Sequence, residues 1–104
     1  MSTYVEIARQ EWAEGHRRLE AERAVPGRYR VLHAQVDAVL EQLRRRLGSV
    51  FTLDELAAEY RGAEPWVRET IAELPPATQW QPGLTTATDA AFHLYARGAR
   101  DYEP

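Results

Sequence analysis

The sequence of 104 residues has no cysteine and no lysine, and its serines are limited to Ser2 and Ser49. Without cysteine, the chain cannot form disulfides, use a thiol nucleophile or bind zinc or an iron–sulfur cluster through thiolates. No apolar run approaches the roughly 18 residues of a membrane span. The N-terminal residues lack the basic-then-apolar order of a secretory signal, and neither end carries a lipidation motif. We therefore expect a cytoplasmic protein that does not bind a membrane.

The absence of lysine means that all 13 basic residues are arginine, against 16 acidic residues. Because arginine codons are GC-rich and lysine codons are AT-rich, this composition is typical of a high-GC genome such as that of an actinobacterium. The net charge of −3 argues against a protein that coats nucleic acid or an anionic membrane. With 44% hydrophobic and 28% charged residues, the composition indicates one globular domain over residues 1–104.

The first helix is predicted over residues 3–23, where apolar residues recur at steps of three and four. Gly15 lies on this apolar stripe, although glycine costs about 1 kcal/mol relative to alanine inside a helix. We therefore expect Gly15 to permit a close crossing with another helix. The stripe consists of Val5, Ala8, Trp12, Gly15 and Leu19.

The Pro26–Gly27 pair ends this helix, and a second apolar stripe predicts a helix over residues 28–47. A break this short favours an antiparallel pair, so we predict a long helical hairpin over residues 3–47. Pairing about the break puts Trp12 at the level of Val39, with apolar residues on both sides.

Two shorter helices follow the hairpin. Thr52 and Glu55 have the spacing of a capping box and predict a helix over residues 53–61. Gly62 ends it, and a second helix over residues 65–74 starts with a proline at its first position and stops at a Pro-Pro pair.

Residues 52–74 resemble the helix-turn-helix of DNA-binding regulators, with the small Ala57 facing the second helix and residues 65–72 as the recognition helix. The resemblance implies a transcriptional regulator that binds DNA as a dimer through that helix. Gly62, however, falls one residue later than the usual turn glycine. The segment also sets three glutamates against Arg68, and DNA repels such a face. The chain as a whole resembles small helical proteins of actinobacteria. This resemblance implies no particular activity.

A loop rich in proline and threonine is predicted over residues 75–88, followed by a final helix over residues 89–100. Since Trp80 lies within the loop, we expect the loop to be anchored on the core. With no strand pattern of useful length, the predicted fold is all-α: a long hairpin, two short helices, a Pro-rich loop and a C-terminal helix.

Residues with catalytic or metal-binding potential do not form a recognisable site. The spacing of His16, His33 and His93 is not that of metal ligands. His16 and His33 are candidates to face each other across the hairpin, and Asp89, four residues before His93, is a candidate to share its helix face. Ser49 has no base beside it, and there is no glycine-rich phosphate loop. We predict no cofactor, and a small metal-dependent or acid/base enzyme is the third interpretation.

Aromatic and arginine residues in the C-terminal half suggest an interaction surface, since tryptophan, tyrosine and arginine are enriched at interface hot spots. We predict a non-enzymatic adaptor or regulatory protein that binds another protein, or a second copy of itself, through a helical surface. DNA binding through the helix-turn-helix-like segment is the alternative. The candidate surface comprises Trp66, Arg68, Trp80, Tyr95, Arg97 and Tyr102.

Overall fold

The protein is built from helices throughout residues 3–104, which are the residues that the computed structural model describes. No strand occurs in this part of the chain, and the predicted all-α fold is confirmed. Turns of 3-10 helix at Glu22–Ala24, Pro76–Thr78 and Gln81–Gly83 join some of the helices. The α-helices are α1 (Thr3–Ala21), α2 (Pro26–Leu47), α3 (Leu53–Arg61), α4 (Ala63–Ala72) and α5 (Leu84–Ala96).

Helix α5 packs along α1 and runs in the opposite direction. Near its start, Asp89 lies against Gly15. Near its end, Ala96 lines a groove together with Arg9. The residue numbers therefore fall along α1 as they rise along α5.

Against α2, helix α5 runs in the same direction. Gly83, just before α5, lies against Leu32 in the first half of α2. Near the other end, the hydroxyl of Tyr95 donates a hydrogen bond to the carbonyl oxygen of Gly48, just beyond α2. Helices α1 and α2 are consequently antiparallel, as the hairpin over residues 3–47 predicts, and α5 packs against both.

The aromatic core lies where α5 meets α1 and the α3–α4 pair. Trp12, which the sequence places at the level of Val39, has other aromatic rings as its partners. Its ring meets the ring of Tyr60 edge-on, with 5.6 Å between centroids, and lies 5.7 Å from the ring of Phe92. The hairpin stripe is therefore covered in part by α3 and α5, and not by α2 alone.

The close crossing expected at Gly15 is confirmed, and its partner is α5. A Cβ atom built on Gly15 would lie 2.3 Å from the Cβ atom of Asp89 and 3.0 Å from the backbone nitrogen of Ala90. Atoms of these types cannot approach so closely, so only glycine fits between the two helices at this point.

The corner between α3 and α4 follows the predicted pattern with one difference. The Thr52 hydroxyl accepts a hydrogen bond from the Glu55 backbone N–H, and the Glu55 carboxylate accepts one from the Thr52 backbone N–H, so the capping box is present. After Gly62, α4 begins at once with Ala63. Pro65 is thus the third residue of α4 and not the first, which still leaves it among the N-terminal residues whose N–H groups need no helical partner.

The final helix differs from the prediction at both ends. It spans Leu84–Ala96, whereas the sequence predicts a loop over residues 75–88 and a helix over residues 89–100. Threonines at its start favour a loop by propensity. Burial of the small residues of this turn overrides that preference, and the Thr88 hydroxyl donates to the carbonyl oxygen of Leu84 within the helix.

The segment before α5 is anchored as expected. The side-chain amide of Gln35, which is fully buried in α2, donates hydrogen bonds of 2.9 and 3.0 Å to the carbonyl oxygens of Thr78 and Trp80. After α5, the chain turns at Gly98, and the backbone N–H of Arg100 donates to the carbonyl oxygen of Phe51. Both flanks of α5 are therefore attached to the rest of the bundle.

We expect Gly15→Ala to destabilise the protein by about 1–3 kcal/mol, because the added methyl group would overlap α5 and force the two helices apart. Gly27→Ala is the matched control, since a Cβ atom there meets nothing within 4 Å. Urea unfolding followed by circular dichroism measures both. Equal stability of the two variants would show that the α1–α5 contact is looser than described.

Candidate functional site

The aromatic residues proposed as interaction anchors are half-buried or buried. Trp66 is 7% exposed and lies 6.3 Å from Phe92, between ring centroids. The guanidinium of Arg46 lies 4.6 Å from the centre of the Trp66 ring and also pairs with Glu59 at 2.9 Å. Trp66 is therefore a core residue with an arginine over it, and it is not an exposed anchor.

Arginine side chains also cover the half-buried rings of Trp80 and Tyr102. Arg28 lies over Trp80 and Arg9 over Tyr102, each 5.3 Å from the ring centre. These stacks shield apolar ring faces that a partner protein would otherwise bury.

The remaining candidate residues lie apart from one another. Tyr95 stacks on Phe51 at 4.8 Å between ring centroids, near the end of α2, whereas Trp80 lies near its start. Helix α2 has 22 residues, so its ends are about 33 Å apart. Arg97 is exposed after α5, and Arg68 is exposed on α4. The structure does not bring the predicted set together into one surface.

A cleft of about 300 Å³ opens where the α3–α4 corner meets the start of α5. Its walls combine apolar side chains with hydroxyl groups, a carboxyl group and, at the rim, charged residues. The lining residues are Tyr60, Arg61, Ala63, Glu64, Val67, Arg68, Leu84, Thr85, Thr88 and Asp89.

A network of two carboxyl groups and a phenol lies at this cleft, in which Asp89 is buried, Tyr60 is half-buried and Glu11 is exposed. The Tyr60 hydroxyl is 2.7 Å from Asp89 Oδ1 and 2.7 Å from Glu11 Oε2. A phenol carries one proton and donates to one carboxylate at a time. The second contact is a hydrogen bond only when that carboxyl group is itself protonated. The network thus joins α1, α3 and α5 and favours retention of an extra proton.

Burial determines the ionisation of this network. Asp89 is 7% exposed, and the loss of solvation raises its pKa to about 6, opposed by the hydrogen bond from Tyr60 and reinforced by the charge of Glu11. Burial, followed by the two carboxylate contacts, also raises the pKa of Tyr60. The phenol therefore stays protonated and acts as a donor, while Asp89 is the group that titrates near neutral pH.

Asp89 forms no ion pair that would balance its charge, and the charge of Arg18 is the smallest of the effects on its pKa. In the described part of the chain, neither Asp89 nor Glu11 takes part in an ion pair. Tyr60 occupies Asp89 Oδ1, and Asp89 Oδ2 has no hydrogen-bond partner among residues 3–104. A carboxylate that is buried, unpaired and placed at a cleft is a candidate binding group.

The histidines pair differently from the sequence expectation. His16 stacks on His93 of α5, with 4.7 Å between ring centroids, and does not face His33. His33 instead lies 3.3 Å from Asp37 on its own helix. Asp89 and His93 make separate contacts from α5. His93 faces His16 on α1, whereas Asp89 contacts Tyr60 on α3. Residues 3–104 contain no group of three side chains that could hold a metal ion.

Comparison of the chain with protein-family models, with curated proteins and with solved structures gives no match. Within residues 3–104, every helix is too short or too polar to cross a membrane. The site must therefore be interpreted from its own geometry.

Sequence reasoning overlooked the network of Tyr60, Asp89 and Glu11. Glu11 lies on the predicted solvent face of the first helix, and Asp89 was paired with His93. One signal was present: Asp89 is an acidic residue in a run of small and apolar residues, Ala87–Phe92, without a basic neighbour. An uncompensated acid on an apolar helix indicates either a helix start or a buried functional carboxylate.

The raised pKa of Asp89 predicts how stability depends on pH. Because the pKa of about 6 in the folded state exceeds the ordinary aspartate value of 3.8, the folded state loses stability as pH rises from about 4 to about 6, and at pH 7 it bears the full penalty. Asp89→Asn keeps an acceptor for Tyr60 without the charge. We expect it to stabilise the protein by about 1–3 kcal/mol at pH 7.5 and by about half as much at pH 5.

Urea unfolding at the two pH values checks this prediction. Asp54→Asn is the control, because Asp54 is exposed on α3 and does not line the cleft. It should change stability by less than about 0.5 kcal/mol, with little pH dependence. A loss of stability in Asp89→Asn at pH 7.5 would contradict the proposed cost of the buried charge.

Proposed function

We propose that this protein is a small, non-enzymatic cytoplasmic protein that recognises another protein through a helical surface, and that the cleft at the α3–α4 corner is the recognition site. The observation that carries the proposal is the unpaired, buried Asp89 at this cleft. Tyr60 requires only a hydrogen-bond acceptor, and that acceptor does not need a charge. Burying a charge is unfavourable. A partner that supplies the missing cation would turn that unfavourable group into a specific contact.

The walls of the cleft support a binding role. They belong to three helices whose positions are fixed by buried contacts, among them Val67 on α4 and Ala87 on α5. Rigid walls lower the entropy lost on binding. The volume of about 300 Å³ suits one inserted side chain or a small group better than a long segment.

DNA binding through residues 65–72 is the alternative that the resemblance of residues 52–74 implies. The exposed face of α4, however, carries Glu64, Glu69 and Glu73, and Arg68 Nε lies 3.2 Å from Glu64. Such a face lacks free cations for phosphate contacts.

A gel-shift assay with random duplex DNA at low and moderate salt tests the alternative. We expect no shift, because the acidic face of α4 repels DNA. A shift that weakens with salt and disappears in Arg68→Glu, but persists in the control Arg45→Glu on α2, would favour DNA binding and overturn the proposal. Both arginines are exposed, so both reversals leave the core intact.

Blocking the cleft tests the proposed function directly. Thr85 is exposed at the mouth of the cleft in the first turn of α5, and Thr85→Trp should fill the opening. Ser49→Trp is the control, because Ser49 is exposed in the turn between α2 and α3 and does not line the cleft. Tagged wild-type and variant proteins are purified from the native host, checked by circular dichroism and analysed by light scattering and mass spectrometry.

We expect a stoichiometric partner, or a second copy of the chain, bound to the wild type and to Ser49→Trp but lost from Thr85→Trp. Light scattering distinguishes a heteromeric complex from a homodimer. A partner retained by Thr85→Trp would place the interaction elsewhere on the protein. Recovery of the wild type alone at monomer mass would contradict the proposed function.

A further inference from the structure

The geometry points to a lysine side chain of the partner protein as the group that enters the cleft, with its ammonium group bound by Asp89. This inference rests on the proposed function and specifies the chemistry of the contact. It follows from the charges, the hydrogen-bonding capacity and the shape of the cleft.

The first step is charge. Asp89 and Glu11 together bring two carboxyl groups to one phenol proton. The nearby arginines make their contacts elsewhere: Arg61 lies 3.9 Å from the centre of the Tyr4 ring, and Arg18 is 3.6 Å from Glu14. Neither forms an ion pair with Asp89 or Glu11, so a cationic ligand has complementary charge at these carboxyl groups.

Two further groups near the cleft do not alter this balance. On the rim, Arg68 and Glu64 pair with each other. On α5, His93 faces α1 through its stack on His16, and burial lowers its pKa, so it stays neutral at pH 7. An ammonium group at Asp89 thus meets a carboxylate, while the exposed Arg61 is the rim cation that has no carboxylate within ion-pair distance in the described residues.

The second step is hydrogen bonding. The Thr88 hydroxyl donates its proton to Leu84, so its oxygen is left only as an acceptor. The Tyr60 hydroxyl likewise spends its proton on a carboxylate, and Asp89 Oδ2 is an open acceptor. A ligand with several N–H donors matches these acceptors at the inner part of the cleft, whereas the arginine donors of the lining, Arg61 and Arg68, are exposed.

The third step separates lysine from arginine. A guanidinium pairs best with a carboxylate through both oxygens in a planar fork. Tyr60 already occupies Asp89 Oδ1, so Oδ2 is the oxygen left for a ligand. A compact ammonium group needs only one carboxylate oxygen, and it can direct its other donors to neighbouring acceptors.

The fourth step is the stem. Beside the polar groups, the cleft is lined by Ala63, Val67 and Leu84. Lysine carries its charge on four methylene groups, which can lie along such apolar walls while the ammonium group reaches Asp89. The cleft thus provides both parts of a lysine site.

The test uses Nα-acetyl-lysine methylamide as the probe, followed by ¹H–¹⁵N NMR titration at pH 7.5 and constant ionic strength. Its Nε-acetylated form is the matched neutral compound, since acetylation removes the charge but keeps the stem. We expect saturable shifts at the backbone amides of Thr85, Thr88 and Asp89 with the charged probe, in the millimolar range. The neutral compound should produce none.

Variants identify the counter-ion. Asp89→Asn should weaken binding of the probe by about tenfold or more, because it removes the carboxylate of the ion pair. Asp54→Asn removes an exposed charge outside the cleft and should change the affinity by less than about twofold, as expected of a solvent-screened charge. Binding by the wild type should also weaken at pH 5, where Asp89 is largely protonated.

Several results would overturn the inference: no saturable shift up to about 50 mM probe, beyond which affinity is negligible; equal binding of the Nε-acetylated compound; or equal affinity in Asp89→Asn. Binding of n-butylammonium without binding of the lysine derivative would indicate a small-amine site and reject the lysine assignment. A partner that Thr85→Trp loses but Asp89→Asn retains would preserve the proposed function while rejecting lysine recognition.

Discussion

The contact between Gly15 and Asp89 is the constraint on which the rest of the structure depends. Because Gly15 has no side chain, α1 and α5 approach until only a glycine fits between them. At that separation the first carbon of the Asp89 side chain lies against the α1 backbone, so its carboxyl group must extend sideways along the interface. There it meets the hydroxyl of Tyr60 from α3, and the same hydroxyl reaches Glu11 from α1. A packing requirement thus places an acidic group where it is largely removed from solvent.

The lack of lysine acquires a structural meaning beside its genomic one. Five arginines lie over aromatic rings, on tyrosines and tryptophans spread along the chain. A planar guanidinium covers a ring face better than a compact ammonium does. These stacks hide apolar surface that would otherwise mark an interface. Base composition can account for the supply of arginine, while the fold determines where arginine is used.

Local signals in the sequence predict where the helices lie better than they predict which helices pack together. The capping box at Thr52 acts within a few residues, and the structure has it. The break expected at Pro26–Gly27 lies just before this pair, because Pro26 is the first residue of α2. The start of α5 could not be predicted in this way, because the segment just before it is held by residues distant in sequence, such as Leu32 and Gln35. Likewise, nothing near Trp66 in the sequence indicates that Arg46 covers it.

The site could not be predicted from the sequence either, because its residues are distant from one another along the chain. The property that distinguishes the site is its charge. Holding Tyr60 between helices requires only an oxygen acceptor, and elsewhere this fold uses neutral ones, such as the carbonyl groups that receive the bonds of Gln35. At position 89 the acceptor is instead a carboxyl group, surrounded by alanine and lacking a cation. Its ionisation near neutral pH lowers stability, and a second acid, Glu11, increases that cost. A group that is unfavourable for folding yet placed at a cleft is better explained by what it binds than by what it supports.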